Sequence, residues 1–216
     1  MSSNFITNKE RFLSDIINGI LPKTDAVYML IGYFYYSGYI QLSERLKDKQ
    51  IQILVGLDIE LQIAKHIREV ETFRNGLISR NVTKEEYYTQ FVQAFNNSDF
   101  LDTSEKQEQF KMFYGKILNG TLEIRKTLNP CHSKMYLFAY NDAMNENGEL
   151  PGVLITGSSN LSYQGMKGRL ELNARFNDKH DYDEGKKIFE ELWESSVVIA
   201  SKDNIDEWNN KVMTHI

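Results

Sequence analysis

Cysteine is nearly absent. The 216 residues hold one, Cys131, so no disulfide framework can form within the chain. Proline occurs 3 times and glycine 13 times, too few for a collagen-like, linker-like or low-complexity chain. No run approaches the roughly 18 consecutive apolar residues of a membrane span. The opening MSSNFITNKERF has neither the basic start nor the apolar stretch of a secretory leader. The four histidines, His66, His132, His180 and His215, are scattered and offer no structural zinc spacing. These absences predict a cytoplasmic, reducing location with no membrane partner.

What is present describes a chain that buries a core. Hydrophobic residues make up 41% and charged residues 25% of the sequence, close to globular averages. The length exceeds a typical domain of ~150 residues, so residues 1–216 are read as one large domain with an insertion. Net charge is 25 − 30 = −5, which argues against a surface coated for nucleic acid while leaving room for a local basic groove. Charge is polarised along the chain. From Lys111 to Tyr136 five basic residues (Lys111, Lys116, Arg125, Lys126 and Lys134) face only Glu123, whereas from Asn177 to Glu194 three basic residues face seven acidic ones.

Residues Asp25 to Ser37 (DAVYMLIGYFYYS) and Ile51 to Leu57 (IQILVGL) are β-branched and aromatic runs without proline, the pattern of strands buried on both faces. A short helix from about Ser37 to Leu46 is predicted between them. From Asp58 to Asn119 the sequence becomes charged and helix-forming, with Ile63, Ile67, Val70 and Phe73 at helical spacing. Capping-box signatures fall at Thr83 with Glu86 and at Ser104 with Gln107. Two or three inserted helices are expected there. Strand signals return at Leu122–Thr127, Lys134–Tyr140, Val153–Ser159 and Glu171–Phe176, and helices near Tyr182–Ser195 and Asp203–Val212 close the chain. The fold class is therefore α/β, and no internal repeat is visible.

The chemistry-bearing residues cluster late. His132 and Lys134 stand two apart at the start of a strand, which puts both side chains on one face. Alone, the pair reads as a hydrogen-bonded strand histidine beside a solvated lysine. One strand later comes GSSNLS, Gly157 to Ser162, small and amide residues whose turn and donors suit an anion. Glu171 then opens another strand as a carboxylate available to a histidine. Cys131 points to the opposite strand face from His132 and is read as a small buried side chain. The acidic cluster Asp178, Asp181, Asp183 and Glu184 precedes a helix, where carboxylates meet the N-terminal dipole. Of the aromatic run Tyr33, Phe34, Tyr35 and Tyr36, at most one is assigned to a ligand, since such residues on a central strand are usually core.

The ordered set HSKMYLF, GSSNLSYQG and RLELNARF resembles the HxK, GSxN and trailing Glu pattern of the phospholipase D superfamily. IGYFYYSG, IQILVGLD and FEELWESS resemble more narrowly the phospholipase D-like nuclease domains found beside SNF2-type helicases and in some restriction endonucleases. The likeness runs from about Asp25 to Ser196 and omits the helical stretch from about Glu60 to Asn119. The superfamily usually places Asp after four further residues beyond the motif lysine. This chain has Ala139 there, with Asp142 three residues on.

The resemblance implies a mixed sheet with helices on both faces and metal-free, cofactor-free phosphodiester chemistry. His132 would be the nucleophile, forming a phosphohistidine. Lys134, Ser158 and Asn160 would stabilise charge on the non-bridging oxygens. Glu171 would accept from the other ring nitrogen of His132 and fix its tautomer. Ser159, Lys167 and Arg169 are candidate substrate contacts, and the basic stretch Lys111 to Lys134 with Arg175 is a candidate track for a phosphate backbone, set against an ordinary solvated surface. Leaving-group departure calls for a second histidine. With a single HxK, the resemblance implies a homodimer that shares one site. DNA is the expected substrate, with a helicase domain as a possible companion. Alternatives are a catalytically weak nucleic-acid-binding module and, behind it, a phospholipid phosphodiesterase.

Overall fold

A computed structural model describes residues 4–59, 84–85, 87–89, 92 and 103–215. Eight strands form one sheet: β1 (Phe5–Ile6), β2 (Thr24–Phe34), β3 (Gln50–Ile59), β4 (Leu122–Lys126), β5 (Met135–Tyr140), β6 (Gly152–Gly157), β7 (Asn173–Phe176) and β8 (Val197–Ala200). Their spatial order is β1-β7-β6-β5-β2-β3-β4-β8. The pairs β2–β3 and β3–β4 are parallel and the other five antiparallel, so the sheet is mixed.

Period-two alternation divides the sheet's apolar residues between two cores. Val27, Met29, Ile31, Ile51, Ile53, Val55, Tyr136, Phe138, Val153 and Ile155 face one side. Leu30, Leu54, Met135, Leu137 and Leu154 face the other. Helix α1 (Leu13–Ile20), the short turns α2 (Tyr36–Tyr39) and α3 (Ser43–Leu46), helix α4 (Ser104–Leu118) and helix α5 (Lys179–Glu194) surround the sheet, followed by α6 (Ile205–Lys211). Leu13 and Ile17 of α1, Phe113 and Ile117 of α4 and Trp208 of α6 cover the first face. Tyr182, Phe189 and Trp193 of α5 cover the second. Central strands with both faces covered explain the near-continuous apolar runs in β2 and β3.

The helix expected over Ser37–Leu46 is instead two separate turns. Gly38 lies against the loop that follows β6: a Cβ there would fall 2.2 Å from the Leu161 carbonyl carbon. Helix α4 begins at Ser104 itself, one residue past an N-cap, and Gln107 N–H donates to Thr103 O at 3.0 Å. It ends at Leu118, and Gly120 just beyond has a φ of +77°, the left-handed conformation glycine adopts readily after a helix. The expected cap at Thr83 and Glu86 and the apolar spacing from Ile63 to Phe73 lie outside the described residues.

Candidate active site

Antiparallel pairing gathers the candidate residues at one edge of the sheet. The end of β2, the approach to β5, the end of β6 and the approach to β7 all meet there, because Leu30 pairs with Met135, Met135 with Thr156 and Gly157 with Asn173. His132 and Lys134 sit just before β5 and Ser158 to Asn160 just after β6. The link is tightened by Thr156 Oγ1 donating to Lys134 O at 2.8 Å.

Lys134 is buried whereas His132 is exposed. The ammonium Nζ lies 3.0 Å from Nδ1 and 2.9 Å from Nε2 of His132, and donates to the His132 carbonyl at 2.6 Å. Burial holds the Lys134 pKa below the ordinary lysine value, while the Glu171 charge pulls it back up. Asn160 is held from behind: Gly32 N–H and Tyr33 N–H both donate to its Oδ1 at 3.1 Å. That assignment turns the amide nitrogen away from β2. The Tyr33 ring packs edge-on to His132 with centroids 6.4 Å apart, which brings a member of the aromatic run to the nucleophile candidate.

His132, Lys134 and Asn160 therefore converge, and Ser158 and Glu171 form a second pair beside them. The hydrogen bond expected between Glu171 and His132 is replaced by one from Ser158 Oγ to Glu171 Oε2. The β6–β7 pairing sets Ser158 beside the Glu171–Leu172 segment, and Leu172 N–H donates to Ser158 Oγ at 3.0 Å. Ser159 differs more sharply from its expected substrate contact. It is fully buried, its hydroxyl accepts from Asn173 Nδ2 at 2.9 Å, and its carbonyl accepts from Tyr136 Oη at 2.8 Å. It braces the loop from inside.

The basic stretch also needs correction, since it forms no continuous track. Lys116 is buried with its ammonium on the carbonyls of Lys47 and Lys49, at 3.1 and 2.7 Å. Lys126 is buried on the Gly56 carbonyl at 2.6 Å. Arg125 pairs with Glu123 at 2.7 Å and stacks over Trp193 at 4.4 Å, and Lys111 pairs with Glu108 on its own helix. Buried carbonyls and an aromatic face need these cations more than solvent does. Arg175 donates to Asn177 Oδ1 at 2.8 Å. Lys167 and Arg169 remain on the surface, Lys167 with Asp15 at 3.9 Å.

Cys131 lies ahead of β5 rather than in it, is half-buried against the second core, and gives its N–H to Gly56 O at 3.0 Å. Asp178 is the N-cap of α5, accepting from Asp181 N–H at 3.0 Å. Among the described residues no group of three or more His, Cys, Asp or Glu side chains is placed to hold a metal ion, and no helix is long and apolar enough to cross a membrane. Ala139 stands in β5 five residues beyond Lys134, roughly 16 Å along a strand. There it pairs with Ala26 and Gly152 and packs into the second core. The departure from the superfamily pattern thus lies away from the candidate site, and Asp142 is exposed in the following turn.

Gly32 and Thr156, which act through backbone or as supports, carry no chemical mark in the residue pattern, and Tyr33 is not told apart from its aromatic neighbours. The one available signal is a glycine inside a strand pattern, which marks close approach of another group.

The site thus sits at the ends of β2, β5 and β6 in a mixed sheet. The sequence pattern of the family described as "Cardiolipin synthase, PLD-like domain" matches residues 41–193, and the chain belongs to that PLD-like family. No curated protein matches significantly. Similar solved structures include Nuc from Salmonella typhimurium, described as a phospholipase D family member, at 10% identity and TM-score 0.48, covering 91% of this chain and 97% of that one. NucT from Helicobacter pylori has 13% identity and TM-score 0.46, with 90% and 96% covered. Polyphosphate kinase from Porphyromonas gingivalis has 9% identity and TM-score 0.45; 88% of this chain matches 22% of that larger one.

Proposed function

We propose that this chain is a metal-independent phosphodiesterase that cleaves DNA through a phosphohistidine at His132. The observation that carries the reading is the placement of the Lys134 ammonium against the His132 imidazole, with the Asn160 amide held beside them by the Gly32 and Tyr33 N–H groups of β2. A ring nitrogen of His132 attacks phosphorus and the P–O bond to the leaving alkoxide breaks. Water then attacks the phosphohistidine and the P–N bond breaks, returning the free imidazole. The negative charge gathering on non-bridging oxygens meets Lys134 and the Asn160 amide, donors already in place before reaction. Ser158 and Glu171 form a hydrogen-bonded pair at the rim, able to orient water or the phosphate.

The alkoxide needs a proton, and one histidine cannot both attack and protonate in a single step. In a homodimer, His132 of the partner subunit supplies it. Exposed apolar residues beside the site support that assembly: Leu170 and Leu172 flank Glu171 at 76% and 58% exposure, and Phe5 lies on the neighbouring edge strand at 60%. A surface of this kind beside a single-histidine site favours a second copy of the chain.

Cleavage of DNA in excess EDTA, present in the wild type and lost in a folded His132→Ala protein, is the expected result. Retention on DNA without cleavage, weakening as salt rises, would favour a binding module. Cleavage only of micellar phosphodiesters would favour a lipid substrate.

A further inference from the structure

We propose that Gly32 is a positioning residue, the floor on which the three converging side chains are registered. The inference rests on reading this cluster as a phosphodiester site. Gly32 lies near the end of β2, and a Cβ built there would stand 3.1 Å from Asn160 Oδ1, 3.4 Å from Lys134 Nζ and 3.5 Å from His132 Cδ2. A single absent methyl therefore touches the nucleophile, the cation and the amide at once. No other described glycine meets three candidate site side chains in this way.

Two physical effects combine at this position. The peptide N–H groups of Gly32 and Tyr33 both point at Asn160 Oδ1, so the backbone selects which way the amide faces and presents Nδ2 as the donor. Substituting alanine leaves both N–H groups in place but inserts a carbon on the same side. Asn160 Oδ1 must withdraw by a few tenths of an ångström, and the buried Lys134 has little room to follow. Donors displaced from the position of developing charge lose their effect steeply, because preorganised electrostatics and near-attack geometry both depend on placement. Gly32 has no polar side chain and touches no reacting atom, so it acts wholly through the residues resting on it.

The test compares Gly32→Ala with Gly19→Ala in the full chain. Gly19 is an exposed helix glycine whose added Cβ meets nothing within 4 Å, which makes it a matched control. Two readouts are taken: steady-state cleavage of DNA in EDTA, and the amide resonances of Gly32, Tyr33 and the Asn160 side chain with their hydrogen-exchange rates. For Gly32→Ala the expected result is kcat lower by about tenfold or more at similar KM, faster exchange at Tyr33, and a displaced Asn160 side-chain resonance, with the melting temperature retained. Gly19→Ala should match wild type in cleavage and in the Gly32, Tyr33 and Asn160 resonances, with a melting temperature no lower than wild type, since alanine favours a helix over glycine. Wild-type kcat in Gly32→Ala with an unmoved Asn160 resonance would overturn the assignment. If the wild type cleaves nothing, the phosphodiesterase reading fails separately, and the exchange rates and the Asn160 resonance still decide whether Gly32 sets the side-chain register.

Discussion

Lys134 carries its charge where water scarcely reaches, and the fold gives it little in return beyond one carbonyl and the edge of an imidazole. Burial depresses its pKa, so the sign of its linkage is clear. In the window below the ordinary lysine value the unfolded chain holds a proton that the native state gives up, and stability contributed by this group rises with pH there. At lower pH the charged form costs the folded state. Lys134→Met should therefore lose cleavage by about a hundredfold or more, as removal of a preorganised charge-stabilising donor does, without lowering the melting temperature. Parallel assays of cleavage and thermal unfolding check this, and a large loss of stability would mean the lysine serves the fold instead. His132 and Lys134 stood out through the ordered pattern that continues in GSSNLS and Glu171; the strand start expected for them falls one residue later, at Met135. The partner of Glu171 was not legible, since it depends on which hydroxyl the β6–β7 register brings nearest.

At the scale of elements, the loop after β6 is the part most dependent on precise packing. Leu161 O accepts from Tyr35 N–H at 3.2 Å, and the Leu161–Ser162 peptide lies on Gly38. A methyl at Gly38 would overlap backbone atoms of Leu161 and Ser162 at 2.2 to 2.4 Å, where no rotamer change can relieve it. Gly38→Ala should reduce stability by roughly 1–3 kcal/mol and cleavage with it, read by denaturant unfolding; an unaffected midpoint would contradict the packing described. The long central strands β2 and β3 were readable from their unbroken apolar and aromatic runs. The strand β1 is two residues long, and β8 follows α5 after only Ser195 and Ser196, so neither offers a window in which period two can show. Helix α1 was missed as well, although Leu13, Ile17 and Ile20 carry helical spacing over its eight residues. The basic stretch misled because charge along a sequence does not say which lysines turn inward to bond carbonyls.

For the whole molecule, burial is also written into its response to alkali. Tyr36, Tyr39, Tyr88, Tyr136 and Tyr182 all have pKa values raised chiefly by burial. A group raised in the folded state contributes stability that is complete below the unfolded value of about 10 and is lost as pH climbs past it, about 1.4 kcal/mol per pH unit for each proton held. Cooperative unfolding should accompany tyrosinate formation above that pH, followed by ultraviolet absorbance and circular dichroism together. Exposed tyrosines such as Tyr163 ionise without unfolding, but ionisation of the full complement of tyrosines in a protein that stays folded would contradict the burial of these five rings. Assembly belongs to the same scale. Leu172→Glu should convert a dimer to a monomer by size-exclusion mass and lower cleavage, whereas a wild type that is already monomeric and active would remove the shared-site account.

In the proposed function His132, aided by the buried Lys134 and the oriented Asn160 amide and paired with His132 of the partner subunit, breaks phosphodiester bonds without a metal. Strand cleavage of single- and double-stranded DNA in excess EDTA, with His132→Ala beside the wild type and folding verified for both, tests it most directly. The account predicts cleavage by the wild type alone. Equal cleavage by both proteins, or none by a well-folded wild-type dimer, would contradict it.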